Sequence, residues 1–461
     1  MSRAGRPERA VLGGKRVLVV GLGVTGFAAA RSLLSHDARV RVTEARRSAA
    51  IEERARELEA AGADVEVGGH GLEAIDADLA VVSPGIPPSA PVVRALESKG
   101  IRTISEIELA FAVADCDFLA VTGTNGKTTT TTLLAAMLAE QGIASVAAGN
   151  IGVPLIEAVA GLPREGAVAV EVSSFQLAGI ERFRPRVAVL LNIAEDHMDW
   201  HGSQELYVEA KARIVANQRE SDVFLPNLDD ANAVAVSARA RARVVPFSAR
   251  RPVRDGIGTH NGRIVWRGTH LLPLKDVPIP GLAGLEDATA AAGAALEYGV
   301  DPAAVVRAIK GFRPLAHRLQ VVAAAGGVTF IDDSKATNPH ATLAAVRGLS
   351  HVALIAGGRS KGMDLAPLAA TVPPVTAVVA IGEAAEEVAR VFHGLVPVEM
   401  ATTMTQAVRV ARRKVGAGGS VLLSPACASL DMYESYAARG DDFARAVRLL
   451  LAEKGTPDVR S

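Results

Sequence analysis

The chain has 461 residues, too many for one compact domain and enough for about three. Hydrophobic residues make up 49% and charged residues 22%, and 50 basic side chains balance 50 acidic ones. That excludes a disordered chain and any global field drawing the protein to nucleic acid or an anionic membrane. The two cysteines, Cys116 and Cys427, lie far apart, which argues against a disulfide framework and suits a reducing compartment.

Short β-rich apolar runs alternate with Ala-rich helical stretches, predicting an α/β fold of three domains in series with mostly parallel sheets. The boundaries are placed at 1–106, 107–314 and 315–461. In the first block, strands are predicted at Val17–Val20, Val40–Thr43 and Leu79–Ser83. Basic residues before the apolar run Val17–Ala30 imitate a secretion signal, but regular amphipathic sequence continues beyond it. No stretch reaches the roughly 20 apolar residues of a membrane span, so a cytoplasmic protein is expected. The run contains Gly-Leu-Gly-Val-Thr-Gly from Gly21 to Gly26, a dinucleotide fingerprint, with Glu44 near the place of a ribose-binding acid. An NAD-dependent oxidoreductase is therefore one reading, although the same turn can cradle the diphosphate of other nucleotides. The Ser-Pro-Gly-Ile-Pro stretch from Ser83 is either a second anion-holding turn or a chain break.

The second block opens with an apolar run, Phe118–Thr122, that enters the loop Gly123-Thr124-Asn125-Gly126, then Lys127, Thr128 and Thr129. A glycine turn between strand and helix aims backbone N–H groups and the positive helix end at one point. Lys127 would lie over terminal phosphates, and the Thr128 hydroxyl could ligate Mg²⁺. The match to the usual phosphate loop is partial, because Val121 stands where its first glycine falls. Glu171 ends another strand-like run, and Val187–Ile193 leads into Glu-Asp-His-Met-Asp-Trp-His at 195–201. That cluster reads either as a polar loop or as a divalent-metal and phosphate site. Lys211, taken alone, is a solvated helix lysine. A less regular region at 222–280, with a turn at Asn261-Gly262, is expected to carry antiparallel strands. The third block begins near Arg313 and Pro314, with strands predicted at Thr329–Asp332, Val352–Ala356, Ala377–Ile381 and Ser420–Ser424.

Several long motifs recur together. Thr122–Thr129 is followed by Gly-Asn-Ile-Gly-Val-Pro at 149–154, Glu-Val-Ser-Ser-Phe-Gln-Leu at 171–177 and Asn192–Gly202. Asp-Asp-Ser-Lys-Ala-Thr-Asn at 332–338, Leu423–Asp431 and Arg439-Gly440 come later. Nearly the whole chain thus resembles the Mur ligases, which make amide bonds in peptidoglycan precursors, and the third block resembles those that add D-glutamate. The resemblance implies that ATP phosphorylates the carboxylate of UDP-MurNAc-L-Ala and that the amine of D-glutamate attacks the acyl phosphate. Other amide ligases of the superfamily, folylpolyglutamate synthases among them, are the nearer alternatives, and a non-catalytic nucleotide-binding module is the more distant one.

Carried over by position, the resemblance implies that Gly123–Thr129, Arg318, Asp333 and Lys335 bind ATP, with Lys127 on the β- and γ-phosphates. Thr128 and Glu171 would hold one Mg²⁺. His197 and Lys211, if carbamylated, would hold a second. Val24, Thr25, Arg46, Ser83 and Gly85 would meet the UDP moiety, and Asn150, Ser173 and His197 would line the acceptor site. Thr337, Lys361, Ser429 and Tyr436 would surround D-glutamate. A monomer that closes about a hinge is expected. The sequence departs from the family at Asp287 and Ala290, where asparagines usually recognise adenine.

Overall fold

A computed structural model describes residues 12–71, 75–313 and 315–453. Both chain ends and Pro314, which figure in the expected domain limits, lie outside the described residues. The chain forms two compact units. One holds the described residues to Thr259 with Val265–Leu271 and Ala290–Ala308; the other holds His260–Ile264, Leu272–Thr289 and the described residues from Ile309. The first predicted block and most of the second therefore share a unit while keeping separate sheets, and residues 260–264, 272–289 and 309–313 of the second fall in the other unit.

The first sheet contains β1 (Arg16–Val20), β2 (Arg39–Glu44), β3 (Asp64–Val67), β4 (Leu79–Val82) and β5 (Thr103–Ser105). Its order is β3-β2-β1-β4-β5, all parallel. The run that imitates a signal sequence is β1 followed by the helix Val24–Ser35, both packed into the core. A Cβ on Gly26 would sit 1.9 Å from the Gly21 carbonyl oxygen, so only glycine lets that helix start so close to the strand end.

The second sheet contains β6 (Asp117–Thr122), β7 (Ser145–Gly149), β8 (Ala167–Glu171), β9 (Val187–Leu190), β10 (Val223–Pro226) and β11 (Arg243–Val244). Its order is β11-β10-β9-β6-β8-β7, again parallel. β6 lies between β9 and β8, so loops after all three gather at one carboxyl edge, where parallel sheets place ligands. The strand predicted at Val187–Ile193 stops at Leu190, because the chain turns off to hold the loop after β6. The irregular region yields a three-stranded sheet of β12 (Ile257–His260), β13 (Arg263–Trp266) and β14 (Thr269–Pro273). Two-residue turns link these strands, Asn261-Gly262 and Arg267-Gly268, with positive φ at all four residues.

The helix Glu106–Val113 leads from the first sheet to the second. Phe111 on this helix packs edge-on against Phe118 and Phe183, with ring centroids 5.4 and 5.7 Å away. Two buried carboxylates on the same helix secure it. Glu106 accepts the Ile156 N–H at 2.8 Å, and Glu108 accepts the N–H groups of Glu181, Arg182 and Phe183 at 2.8–2.9 Å.

The last sheet, wholly within the second unit, contains β15 (Gln320–Ala325), β16 (Val328–Asp332), β17 (Val352–Gly357), β18 (Val375–Ile381), β19 (Val398–Ala401) and β20 (Ser420–Ala426). Its order is β15-β16-β20-β17-β18-β19, parallel apart from the β15–β16 pair. The strands β16, β17 and β20 are adjacent, so their three following loops share one edge.

Candidate functional site

The loop after β6 is held open by side chains rather than by its own backbone. Asn192 Oδ1 accepts the N–H groups of Thr124 at 3.1 Å and Asn125 at 2.9 Å, and Asn192 Nδ2 donates to the Asn125 carbonyl. The Thr124 hydroxyl lies 3.0 Å from Tyr207 Oη. Gly126, at φ 84°, begins the helix Lys127–Glu140, in which Thr128 to Thr131 are buried. Lys127 Nζ folds back to donate to the carbonyls of Gly123 and Thr124 at 3.0 and 2.9 Å. The predicted nucleotide-binding residues Gly123–Thr129 thus form one strand–turn–helix corner.

Three separate motifs meet at that corner. Thr128 Oγ1 donates to Glu171 Oε2 at 2.6 Å, and Asn150 Nδ2 donates to Glu171 Oε1 at 3.0 Å. Register explains the meeting: β8 pairs Glu171 with Val121 of β6 on one side and with Gly149 of β7 on the other. A Cβ on Gly149 would lie 2.4 Å from the Glu171 carbonyl oxygen, so glycine is needed for Asn150 to come so near. Two hard oxygens, a hydroxyl and a buried carboxylate, converge beside the phosphate loop, a donor set suited to Mg²⁺.

Lys211 corrects the reading of a solvated helix lysine. It is 2% exposed, donates to the Gly123 carbonyl at 2.8 Å, and lies 4.7 Å from the centroid of the Tyr207 ring. Burial first, and then the charge of Lys127, holds its amine well below the usual lysine range. Both histidines of the dense run at 195–201 lie against Phe175. His197 is 46% exposed at its side chain, with φ 57° and its ring edge-on to Phe175. His201 is buried, 2.9 Å from Ser174 Oγ and stacked on Phe175. Among the described residues no three His, Cys, Asp or Glu side chains form a metal-holding group. Ser173 begins the helix Ser174–Ala178, and its hydroxyl is engaged in a reciprocal cap with Gln176.

In the first sheet, Val24 and Thr25 open the helix after the glycine turn, with Val24 57% exposed. The Ser83 hydroxyl approaches the Gly21 carbonyl at 3.5 Å, Gly85 lies exposed in the second turn, and Arg46 is exposed. Glu44 is not placed to receive a ribose. Its carboxylate is buried and accepts the N–H of Leu22 at 2.9 Å and, on the other oxygen, the N–H and Nε–H of Arg46 at 2.9 and 3.2 Å. Burial pushes its pKa up, but the Arg46 side chain and the two backbone donors prevail and hold it below the usual value.

In the second unit, Asp333 is buried and accepts from Ser424 Oγ at 2.9 Å and the Leu319 N–H at 3.2 Å. Burial raises its pKa to about 7. Arg318 is half-buried between His317 and Leu319, both at positive φ. Lys335 Nζ reaches Tyr436 Oη at 3.3 Å. Lys361 is exposed at φ 55°, Thr337 is half-buried and Ser429 is 4% exposed. The loops carrying Lys361 and Ser429 are joined nearby, since Arg359 and Ala428 exchange backbone hydrogen bonds at 2.9 and 3.0 Å. Asp287 and Ala290 both lie in the helix Gly281–Tyr298 and are buried.

Asn192, Tyr207, Ser424 and the paired Glu106 and Glu108 carry no assignment from sequence. Each supports a neighbour through an N–H or hydroxyl remote in sequence, so no local spacing signals it.

Family models match in chain order: the Mur ligase MurD-like N-terminal domain at residues 15–105, the Mur ligase middle domain at 121–295, and the Mur ligase glutamate ligase domain at 317–427. The UDP-N-acetylmuramoylalanine--D-glutamate ligase of Frankia casuarinae is 45% identical over 446 residues, covering 94% of each chain. That of Geotalea daltonii is 41% identical, covering 95% of this chain and 98% of its own. Among solved structures, UDP-N-acetylmuramate-alanine ligase from Thermotoga maritima superposes with a TM-score of 0.59 at 17% identity, over 95% of this chain and all of that one. The MurF structure from Acinetobacter baumannii gives 0.58 at 17% identity over 93% of each chain. The structural likenesses speak for the fold alone.

Proposed function

The chain belongs to the Mur ligase family, and from that premise we propose that it joins D-glutamate to UDP-N-acetylmuramoyl-L-alanine, cleaving ATP to ADP and phosphate. The observation that carries this reading is the meeting of Thr128, Glu171 and Asn150 at the start of the phosphate-loop helix. Three motifs from separate strands there make one phosphate and cation corner. Curated relatives that span nearly the whole chain and bear the name of a D-glutamate ligase supply the substrate pair.

A carboxylate is a poor electrophile at neutral pH, so its oxygen must first be phosphorylated. The acceptor carboxylate attacks the γ-phosphorus of ATP and ADP leaves, giving an acyl phosphate. The neutral amine of D-glutamate then attacks the carbonyl carbon. It loses a proton as the tetrahedral adduct forms, and the collapse of that adduct expels phosphate. The chain's part is positioning and charge neutralisation. Loop N–H groups and the helix end bind the phosphates. Lys127, now lying on two carbonyls of its own loop, needs only a side-chain rotation to reach them. Thr128 and Glu171 are the residues that would hold Mg²⁺, whose charge, when bound, offsets that of the phosphate oxygens.

A second ion falls to Lys211 and His197. Burial beside another cation favours the neutral form of the Lys211 amine, the form that adds CO₂; loss of a proton to solvent would leave an anionic carbamate suited to a metal. Val24, Thr25, Arg46, Ser83 and Gly85 take the UDP moiety, with Asn150 and Ser173 on the acceptor. Thr337, Lys361, Ser429 and Tyr436 take D-glutamate, a dianion that calls for one fixed cation and hydroxyl donors. Arg318, Asp333 and Lys335 serve ATP as well. Action in the cytoplasm is supported by two buried cysteines that form no disulfide, and a monomeric form belongs to the same reading. No described helix is long and apolar enough to cross a membrane.

The test is phosphate release with ATP, Mg²⁺ and UDP-MurNAc-L-Ala, across D-Glu, L-Glu, L-Ala and no amino acid. Release that depends on D-Glu, with the matching product mass, is the expected result. Release driven by another amino acid would overturn the substrate and keep the ligase chemistry.

A further inference from the structure

Arg439 lies in the C-terminal helix Tyr436–Glu453 and is 2% exposed. Nε donates to Ser334 Oγ at 3.0 Å, Nη2 to the Ser334 carbonyl at 2.8 Å, and Nη1 to the Cys427 carbonyl at 3.0 Å. None of these acceptors is charged, and burial lowers the guanidinium pKa to about 10. A buried cation with only neutral acceptors is costly to desolvate, so packing alone is a poor reason for it.

The bonds show what the guanidinium joins. Ser334 sits in the turn after β16, between Asp333 and Lys335. Its hydroxyl also donates to the Tyr436 carbonyl at 2.7 Å, and its N–H to Asp332 Oδ1 at 2.9 Å. Cys427 sits in the loop after β20, two residues before Ser429. A Cβ on Gly358 would meet Arg439 Nη1 at 3.1 Å and the Ala428 carbonyl oxygen at 2.3 Å, so the loop leading to Lys361 lies on the same group. One planar fork therefore touches or abuts every segment of the second unit that carries an ATP-side or amino-acid-side residue after Arg318.

We propose that Arg439 is a positioning residue of the ligation, fixing the Asp333–Lys335 turn relative to the loop of Ser429. The proposal rests on the function given above, and Arg439 itself touches no substrate in it. Lysine keeps the charge but offers one ammonium in place of a rigid fork, so it cannot hold Ser334 and Cys427 together.

Two measurements on the full-length protein test this, with Arg439→Lys, Arg439→Ala and Ser334→Ala. Steady-state kinetics should show KM for D-glutamate raised at least about tenfold in Arg439→Lys, with KM for UDP-MurNAc-L-Ala within about twofold of the parent. Methylguanidinium should restore part of the activity of Arg439→Ala. Ser334→Ala, which keeps the arginine and should fold even if Arg439→Ala does not, should shift the D-glutamate KM in the same direction. In the absence of substrates, amide exchange at 332–336 and at 427–433 should quicken together in Arg439→Lys. If the parent releases no phosphate with D-glutamate, the functional reading fails, and the exchange experiment still judges the positioning role. An unchanged KM for D-glutamate in folded Arg439→Lys, or exchange that quickens in one segment alone, would overturn the proposal.

Discussion

Replacing Glu106 by glutamine should change how the stability of the central sheet depends on pH. Glu106 is 2% exposed and accepts the Ile156 N–H at 2.8 Å at the start of the helix Leu155–Ala160, where Glu157 adds repulsion. Burial raises its pKa from 4.5 to about 7, against the pull of the Ile156 and Leu155 N–H groups. Between those two values the folded chain keeps a proton that the unfolded chain has released, so stability is lost as pH rises through the window. At 1.36 kcal/mol per pKa unit, the span from 4.5 to about 7 corresponds to about 3 kcal/mol, lost by pH 8. Glutamine cannot ionise, yet its amide oxygen can still accept from Ile156. Allowing for the weaker neutral hydrogen bond, Glu106→Gln should be about 2 kcal/mol more stable than the parent at pH 8.5 and nearly equal to it at pH 5.5. A chain of several domains has no single unfolding free energy, so the reporter should be local. Amide exchange in the helix Leu155–Ala160 serves, with roughly 30-fold greater protection expected at pH 8.5 once intrinsic rates are removed. Parallel pH profiles for the two proteins, or a glutamine variant less protected at pH 8.5, would refute the reasoning.

Lys127→Ala should abolish ATP turnover while leaving the fold intact by circular dichroism, and near-normal turnover would remove Lys127 from the phosphates. Lys211→Ala should lose activity, part of which short-chain carboxylates restore by standing in for the carbamate; an active variant indifferent to added carboxylate would contradict that role. Lys361→Ala should act mainly on the KM for D-glutamate, as kinetics with varied amino acid would show. Glu108→Gln keeps one acceptor oxygen for three N–H groups and turns an amide donor toward another. It should cost about 2–4 kcal/mol, read as a lower denaturant midpoint of the central sheet, and a change under about 0.5 kcal/mol would deny the three-way bond any weight.

Most inner strands of the three large sheets were legible because hydrophobic runs bounded by glycine and polar turns need no partner to be seen, whereas edge strands such as β3, β5, β7, β15 and β19 were not named; the corner after β6 followed from its glycines. Partnerships across distance were not. Asn192 was visible only as part of a motif; that its amide props open the phosphate loop depends on β9 lying beside β6. Lys211 read as solvated because a single helix lysine is usually exposed, and its burial comes from Tyr207 and the loop at Gly123. The run at 195–201 pointed to metal by density of ligand types; in the fold a helix of four residues, Met198–His201, carries His201 into an aromatic cluster around Phe175 that the exposed His197 also borders.

The glycine fingerprint in the first sheet poses the opposite problem, a motif whose geometry is present but whose usual ligand does not follow. Gly21 and Gly26 make the close strand-to-helix turn that any diphosphate could use. What selects a dinucleotide is an acid at the end of β2 free to take two ribose hydroxyls. Glu44 stands at that place, but both its oxygens are engaged: one holds the Leu22 N–H inside the glycine turn itself, and the other is covered by Arg46. Freeing the carboxylate would leave a buried N–H unpaired and a guanidinium without its partner, a cost of a few kcal/mol that a ribose contact would have to exceed. The acid therefore acts as a brace for the turn, and it is the turn, with Arg46 exposed beside it, that is left to meet a ligand. This favours a diphosphate joined to a base that a cation can approach over a nicotinamide dinucleotide, and it does so from the first sheet alone.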